Sequence, residues 1–151
     1  SDYNKYIELK PNESGAYFNR GLSYRKLGEY PKAVSDFSKE IELDPNYTKA
    51  YYGRGLAYYD LGEYSTAVSD YNKYIELKPN ESGAYFNRGL AYYSLKEYSK
   101  AVSDYTKEIE LDPNDADAYF NRGNVYEEIG ESEKAQRDFE KAASLDPKYK
   151  K

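Results

Sequence analysis

The strongest constraint on this chain is that it repeats itself. Residues 1–22, SDYNKYIELKPNESGAYFNRGL, return letter for letter at 69–90, an offset of 69 − 1 = 68. Half of that offset also recurs: Pro11, Pro45, Pro79, Pro113 and Pro147 follow one another at 34 residues, as 45 − 11 = 34. A period of this length means that each unit is one supersecondary element, whose apolar face is covered only when neighbours stack on it. An array is therefore expected, and 151 residues are enough for one continuous core.

Each period reads as two helices. Tyr3, Ile7 and Leu9 predict a helix over residues 1–10 that ends before Pro11. The turn cluster PNESG follows, then a helix over 16–27 with Tyr17, Gly21, Tyr24 and Leu27 on one face. Gly28 supplies the left-handed residue that closes a helix, and Pro31 fits the first turn of the next. That second helix is predicted over about residues 31–43, with Ala33, Val34, Phe37, Ile41 and Leu43 apolar, until Asp44-Pro45 stops it. The cycle gives one array, 1–151, made of a partial repeat (1–13, second helix only) and full repeats at 14–47, 48–81, 82–115 and 116–149. The turn glycine recurs as Gly62 and Gly130 but is Lys96 in the third full repeat, which is expected to strain or lengthen that turn. Glu127, Glu128, Gln136 and Arg137 make the last repeat more polar, as for an outer face that meets water. A natural end at the C-terminus and a cut beginning inside a repeat are the expectation.

Composition narrows the function classes. Lys and Arg number 22 against 27 Asp and Glu, a net −5, and no basic run exceeds two residues, so no nucleic-acid partner is expected. There is no Cys, which excludes disulfides and thiolate metal sites. No apolar run is long enough to span a bilayer, so the expectation is a soluble chain with no membrane partner, cytoplasmic by default. Without His or Cys, and with no nucleophile outside the repeat pattern, no enzyme activity and no cofactor are expected. The segment 112–117, DPNDAD, lacks the Gly and distal Glu of a calcium loop and reads as a helix-capping linker, so no metal is expected. Sequons at Asn12, Asn46 and Asn80 lie in the turns and matter only in a secretory compartment.

Read in register, the third full repeat gives Tyr85, Arg88-Gly89, Tyr92, Ala101, Tyr105 and Pro113, and the other copies match. On these residues the whole chain resembles the tetratricopeptide repeat family, which implies an all-α, right-handed α-solenoid of antiparallel helix pairs. It departs from the family pattern in three places. Tyr stands for the usual Trp. Arg20, Arg54, Arg88 and Arg122 stand for Leu, and the small residue of the second helix is Tyr6, Glu40, Tyr74, Glu108 and Ala142 in turn.

Each of these arginines is followed sixteen residues later by an aspartate: Asp36, Asp70, Asp104 and Asp138. A guanidinium entering a helix interface needs a carboxylate to accept its donors, so structural Arg–Asp pairs are expected, helped in alternate repeats by Glu40 and Glu108. An anion site is the competing reading.

The resemblance implies that first helices line a concave groove. Its peptide-binding positions would be Phe18, Asn19, Leu22 and Arg25; Tyr52, Leu56 and Tyr59; Phe86, Asn87, Leu90 and Tyr93; and Phe120 and Asn121, with Gly53 interrupting the Asn series and Asn124 and Glu127 ending the others. Asn amides would hold a peptide backbone and aromatics would supply contact area. Most of the other tyrosines, such as Tyr17, Tyr24, Tyr51, Tyr85 and Tyr119, fall where the family packs its own core. Packing between adjacent first helices also remains a reading of the groove aromatics. The Lys/Asn clamp with which some members grip a carboxylate tail is missing, since Phe18 and Leu22 and their counterparts stand there; the Asn series resembles the ladder in the repeats of a glycosyltransferase.

Two functions follow: a scaffold that binds a protein or peptide in this aromatic and Asn-lined groove, or a structural spacer or self-associating solenoid, the latter a head-to-tail or swapped homo-oligomer through the uncapped N-terminal helix.

Overall fold

A computed structural model describes residues 2–150. It contains α1 (Asp2–Leu9), α2 (Ala16–Lys26), α3 (Tyr30–Leu43), α4 (Thr48–Asp60), α5 (Tyr64–Leu77), α6 (Ala84–Ser94), α7 (Tyr98–Leu111), α8 (Ala116–Glu128), α9 (Ser132–Leu145) and a 3-10 turn, Pro147–Tyr149. No strand occurs among the described residues.

The chain forms two compact units, Ser1–Pro79 and Asn80–Lys151. In the first, α2 pairs with α3 and α4 with α5; α3 packs on α4, α1 on α2, and α2 runs beside α4. In the second, α6 pairs with α7 and α8 with α9; α7 packs on α8, and α6 runs beside α8.

The local sequence explains the punctuation. Proline lacks the N–H that a continuing helix needs, so α3, α5, α7 and α9 each end before one. Between paired helices the chain reverses through a left-handed residue. At Gly28 φ is 76°, the Gly28 N–H donates to Arg25 O (3.0 Å), and the Glu29 N–H donates to Tyr24 O (2.9 Å). Lys96 takes the same place with φ 59°, and Lys96 N and Glu97 N donate to Tyr93 O and Tyr92 O at 2.9 and 2.8 Å. The turn keeps its length; a side chain is instead forced into the left-handed region.

Aromatics of the second helices fill the core against glycines of the first. Phe37 is fully buried, and a Cβ on Gly21 or Gly53 would lie 2.9 or 2.8 Å from its ring. The ring therefore wedges between α2 and α4, and only residues without a side chain let the helices close on it. Tyr105 repeats this against Gly89, and Phe139 against Gly123. One expectation fails: Leu27, still right-handed, is the cap one residue beyond α2 and ahead of the left-handed Gly28, and it is 72% exposed.

Candidate protein-binding surface

Each full repeat holds an arginine clamp between its paired helices. Arg20 donates through Nε and Nη2 to the two carboxylate oxygens of Asp36, both at 2.7 Å. Arg54 holds Asp70 at 2.9 and 2.8 Å, Arg88 holds Asp104 at 2.8 and 2.7 Å, and Arg122 holds Asp138 at 2.8 Å twice. A parallel fork of this kind needs a planar donor, which lysine cannot supply. Arginines also reach back to the preceding second helix: Nη1 donates to Asn4 Oδ1 from Arg20, to Ser38 Oγ from Arg54 and to Thr106 Oγ1 from Arg122, each at 3.1 Å. Tyrosine rings flank the cations, with Tyr17 and Tyr24 both 5.7 Å from Arg20, and Tyr119 and Tyr126 both 5.8 Å from Arg122. The arginine side chains are only 17–22% exposed, so their donors point into the protein's own interfaces. At Asp104 burial outweighs the nearby guanidinium and lifts the carboxyl above its ordinary range.

Glu40 and Glu108 do not assist these clamps. Glu40, fully buried, accepts from Gly15 N (2.7 Å), Phe18 N (3.2 Å) and the Ser14 hydroxyl. Glu108 accepts from Gly83 N (2.8 Å) and Phe86 N (3.3 Å). The start of a helix leaves N–H groups without intrahelical partners, and these carboxylates collect them from below. Burial nonetheless pushes the Glu108 carboxyl up.

The candidate surface residues recur at i, i+4 and i+7 along α2, α4 and α6, which puts them on one face of each helix. Phe18, Tyr52, Phe86 and Phe120 are half-buried, each leaning on an aromatic of its own second helix: Phe37 (5.8 Å), Tyr71 (5.9 Å), Tyr105 (5.7 Å) and Phe139 (5.5 Å). Tyr47 further covers Phe18 at 5.2 Å, and Tyr149 stacks on Phe120 at 4.4 Å. Beside Phe86 the corresponding place, two residues after Pro113, is Asp115.

Leu22 is 42% exposed; Leu56 and Leu90 are half-buried, Leu90 resting with Phe86 and Tyr93 on the cluster of Ala101, Tyr105 and Val125. Asn19 is exposed. Asn87 and Asn121 each donate one amide hydrogen to a carbonyl of their own helix, Gly83 O and Asp117 O, both at 2.8 Å. Gly53 breaks the Asn series because Phe37 occupies the room of its side chain. Arg25 does not stand alone: its Nε donates to Asp60 at 2.7 Å, across from α2 to α4. Tyr59 meets Tyr64 edge-on at 5.1 Å, and Tyr93 donates to Glu128 at 3.4 Å. Tyr47, Tyr149, Asp60 and Glu128 thus belong to this surface although sequence reasoning left them out. The period itself was the available signal, since Tyr47 and Tyr149 occupy one register position.

Patterns described as TPR repeat match residues 21–62, 55–96 and 91–130, and patterns described as tetratricopeptide repeat match 2–35 and 116–149. The chain belongs to the tetratricopeptide repeat family. Its helix pairs pack as in the solenoids of that family. The TPR chain is similar to a crystal structure of MamA, with 30% identity, a TM-score of 0.92, and 97% of this chain and 85% of that one covered. A second MamA structure matches with 30% identity and a TM-score of 0.89, covering 97% and 80%. MamA 41-end from Desulfovibrio magneticus RS-1 shares the fold at 24% identity and a TM-score of 0.91, covering 95% and 81%. No curated protein matches the chain. Family and neighbours together make this TPR chain a protein–protein interaction scaffold. Among the described residues no helix is long and apolar enough to cross a membrane, and no group of three or more acidic side chains is placed to hold a metal ion.

Proposed function

We propose that the full repeats, 14–47, 48–81, 82–115 and 116–149, are non-catalytic and that the first-helix faces within each unit, of α2 and α4 in one and of α6 and α8 in the other, take an apolar peptide, extended or helical. The observation that carries this reading is the pair Phe86 and Leu90, seated on the core yet only half-buried. Anchors of this kind are already ordered before a partner arrives, so little side-chain entropy is lost on binding. The exposed Asn19 supplies polar contacts to a peptide backbone. The net charge of −5 speaks against a polyanion such as nucleic acid.

The test is to select a binding peptide from an unbiased display library on the whole chain and then measure its affinity for variants. Phe86→Ala is expected to weaken it by about 1–2 kcal/mol while the circular dichroism of the protein stays unchanged. Phe18→Ala is expected to cost less, because Tyr47 already covers that ring. Equal affinity for wild type and Phe86→Ala would move the site off this face.

A further inference from the structure

The two units carry the same surface with one exchange of charge. Adding the duplication offset of 68 to Arg25 and Asp60 gives Tyr93 and Glu128. In the first unit Asp60 of α4 accepts from Arg25 Nε of α2 at 2.7 Å, so the acid and its cation close on each other. In the second unit the acid is kept and the cation is not: Glu128 of α8 accepts from the Tyr93 hydroxyl of α6 at 3.4 Å, and among the described residues it makes no ion pair. Burial, and after it the carboxylate alongside, push the Tyr93 pKa up, so the phenol stays a neutral donor. It gives Glu128 one long hydrogen bond and no countercharge.

The place of this carboxylate gives it a role. Phe86, Leu90 and Tyr93 recur on one face of α6 and rest together on the cluster of Ala101, Tyr105 and Val125. The hydroxyl at the end of that stripe meets Glu128, so an exposed negative charge stands where the apolar surface stops. Arg88 and Arg122 are forked onto Asp104 and Asp138, and Lys148 is held by Asp117. A partner seated on Phe86 and Leu90 would take water away from the Glu128 carboxylate. Covering an unpaired charge is costly, which disfavours a neutral or acidic segment and favours a cationic one.

Resting on the peptide-binding reading above, we infer that the face of α6 and α8 selects an apolar segment that carries an arginine or lysine, whose cation takes at Glu128 the part that Arg25 plays at Asp60. The face of α2 and α4, with its acid already paired, makes no such selection. Phe86 to Tyr93 spans about 10 Å along the helix, and an extended chain advances about 3.3 Å per residue. In an extended segment the cation therefore stands about three residues from the apolar anchor. The net charge of −5 on the whole chain draws such a partner in as well.

The probes are the peptides selected from the unbiased library on the whole chain, sorted first by their loss of affinity for Phe86→Ala. Those that lose affinity are expected to carry a cation, and glutamine in its place is expected to weaken them about three- to tenfold. Glu128→Gln in the protein keeps an oxygen for the Tyr93 hydroxyl and removes only the charge. It is expected to weaken the same peptides by a similar factor, and to add little once the peptide's cation is gone. Glu133→Gln, which removes an equal charge from the exposed first turn of α9, is expected to leave affinity unchanged. Peptides weakened by Phe86→Ala that carry no cation, or that bind wild type and Glu128→Gln alike, would overturn this inference and leave the binding face standing. Equal losses in Glu133→Gln and Glu128→Gln would overturn it too, by tracing the effect to net charge. A library without any peptide sensitive to Phe86→Ala would remove the binding face itself, and the inference with it.

Discussion

The first and second full repeats share one frame and begin their first helices by different means. In the first, the chain enters α2 through Gly15 at φ 96°, and the buried Glu40 gathers the freed N–H groups of Gly15 and Phe18. In the second, Tyr47 precedes α4 without a side-chain cap, and Tyr74 takes the place of Glu40, packed on Tyr52. The third repeat returns to the first arrangement, with Gly83 at φ 93° above Glu108. A carboxylate is tolerable in this core only where the helix above it turns its N–H groups downward. Ser-Gly at the start of a repeat and Glu near its end are thus one device, and Thr-Lys with Tyr is another.

Mixing the two devices should give the largest effect. Tyr74→Glu places a carboxylate under a helix with no glycine entry, and a loss of about 3–4 kcal/mol in urea unfolding is expected. Adding Thr48→Ser and Lys49→Gly to it should return about 1–3 kcal/mol. A triple variant no more stable than the single one would separate glycine entry from carboxylate. The next effect concerns Tyr71, whose counterpart in the first repeat is Phe37. Its hydroxyl is buried without a hydrogen-bond partner among the described residues, and burial pushes its pKa up. Tyr71→Phe should therefore raise stability by about 1–2 kcal/mol, seen as a higher thermal midpoint. A lower midpoint would mean that the hydroxyl is satisfied after all. Smallest is the turn of the third repeat: Lys96→Gly should gain about 0.5–1 kcal/mol, since glycine takes the left-handed conformation without a Cβ clash yet adds freedom to the unfolded chain. Equal unfolding midpoints for Lys96→Gly and wild type would show that the turn carries no strain.

The helices were legible because their ends are written in single residues. Gly28 and Pro45 each act on the backbone next to them, and the 34-residue period repeats the message. The spacing of sixteen between Arg20 and Asp36 was also readable, because paired antiparallel helices bring such positions level. Glu40 was misread as a helper of Arg20. Besides the Ser14 hydroxyl, its partners are backbone N–H groups twenty-two and twenty-five residues away, which carry no side-chain signature. The only sign was that Ser-Gly and Glu occur together in repeats one and three, while repeat two has neither. Asn87 and Asn121 show another limit, since nothing in the letters distinguishes an amide turned toward a ligand from one bonded to its own helix.

The backward reach of the arginines has a consequence for how the protein comes apart. Arg54 is tied to Ser38 behind it and to Asp70 ahead, so a hairpin that loosens takes a grip away from the one next to it. Melting within a unit should then spread between adjoining hairpins like a zip drawn open, with amide exchange in α3 and α4 rising together rather than helix by helix.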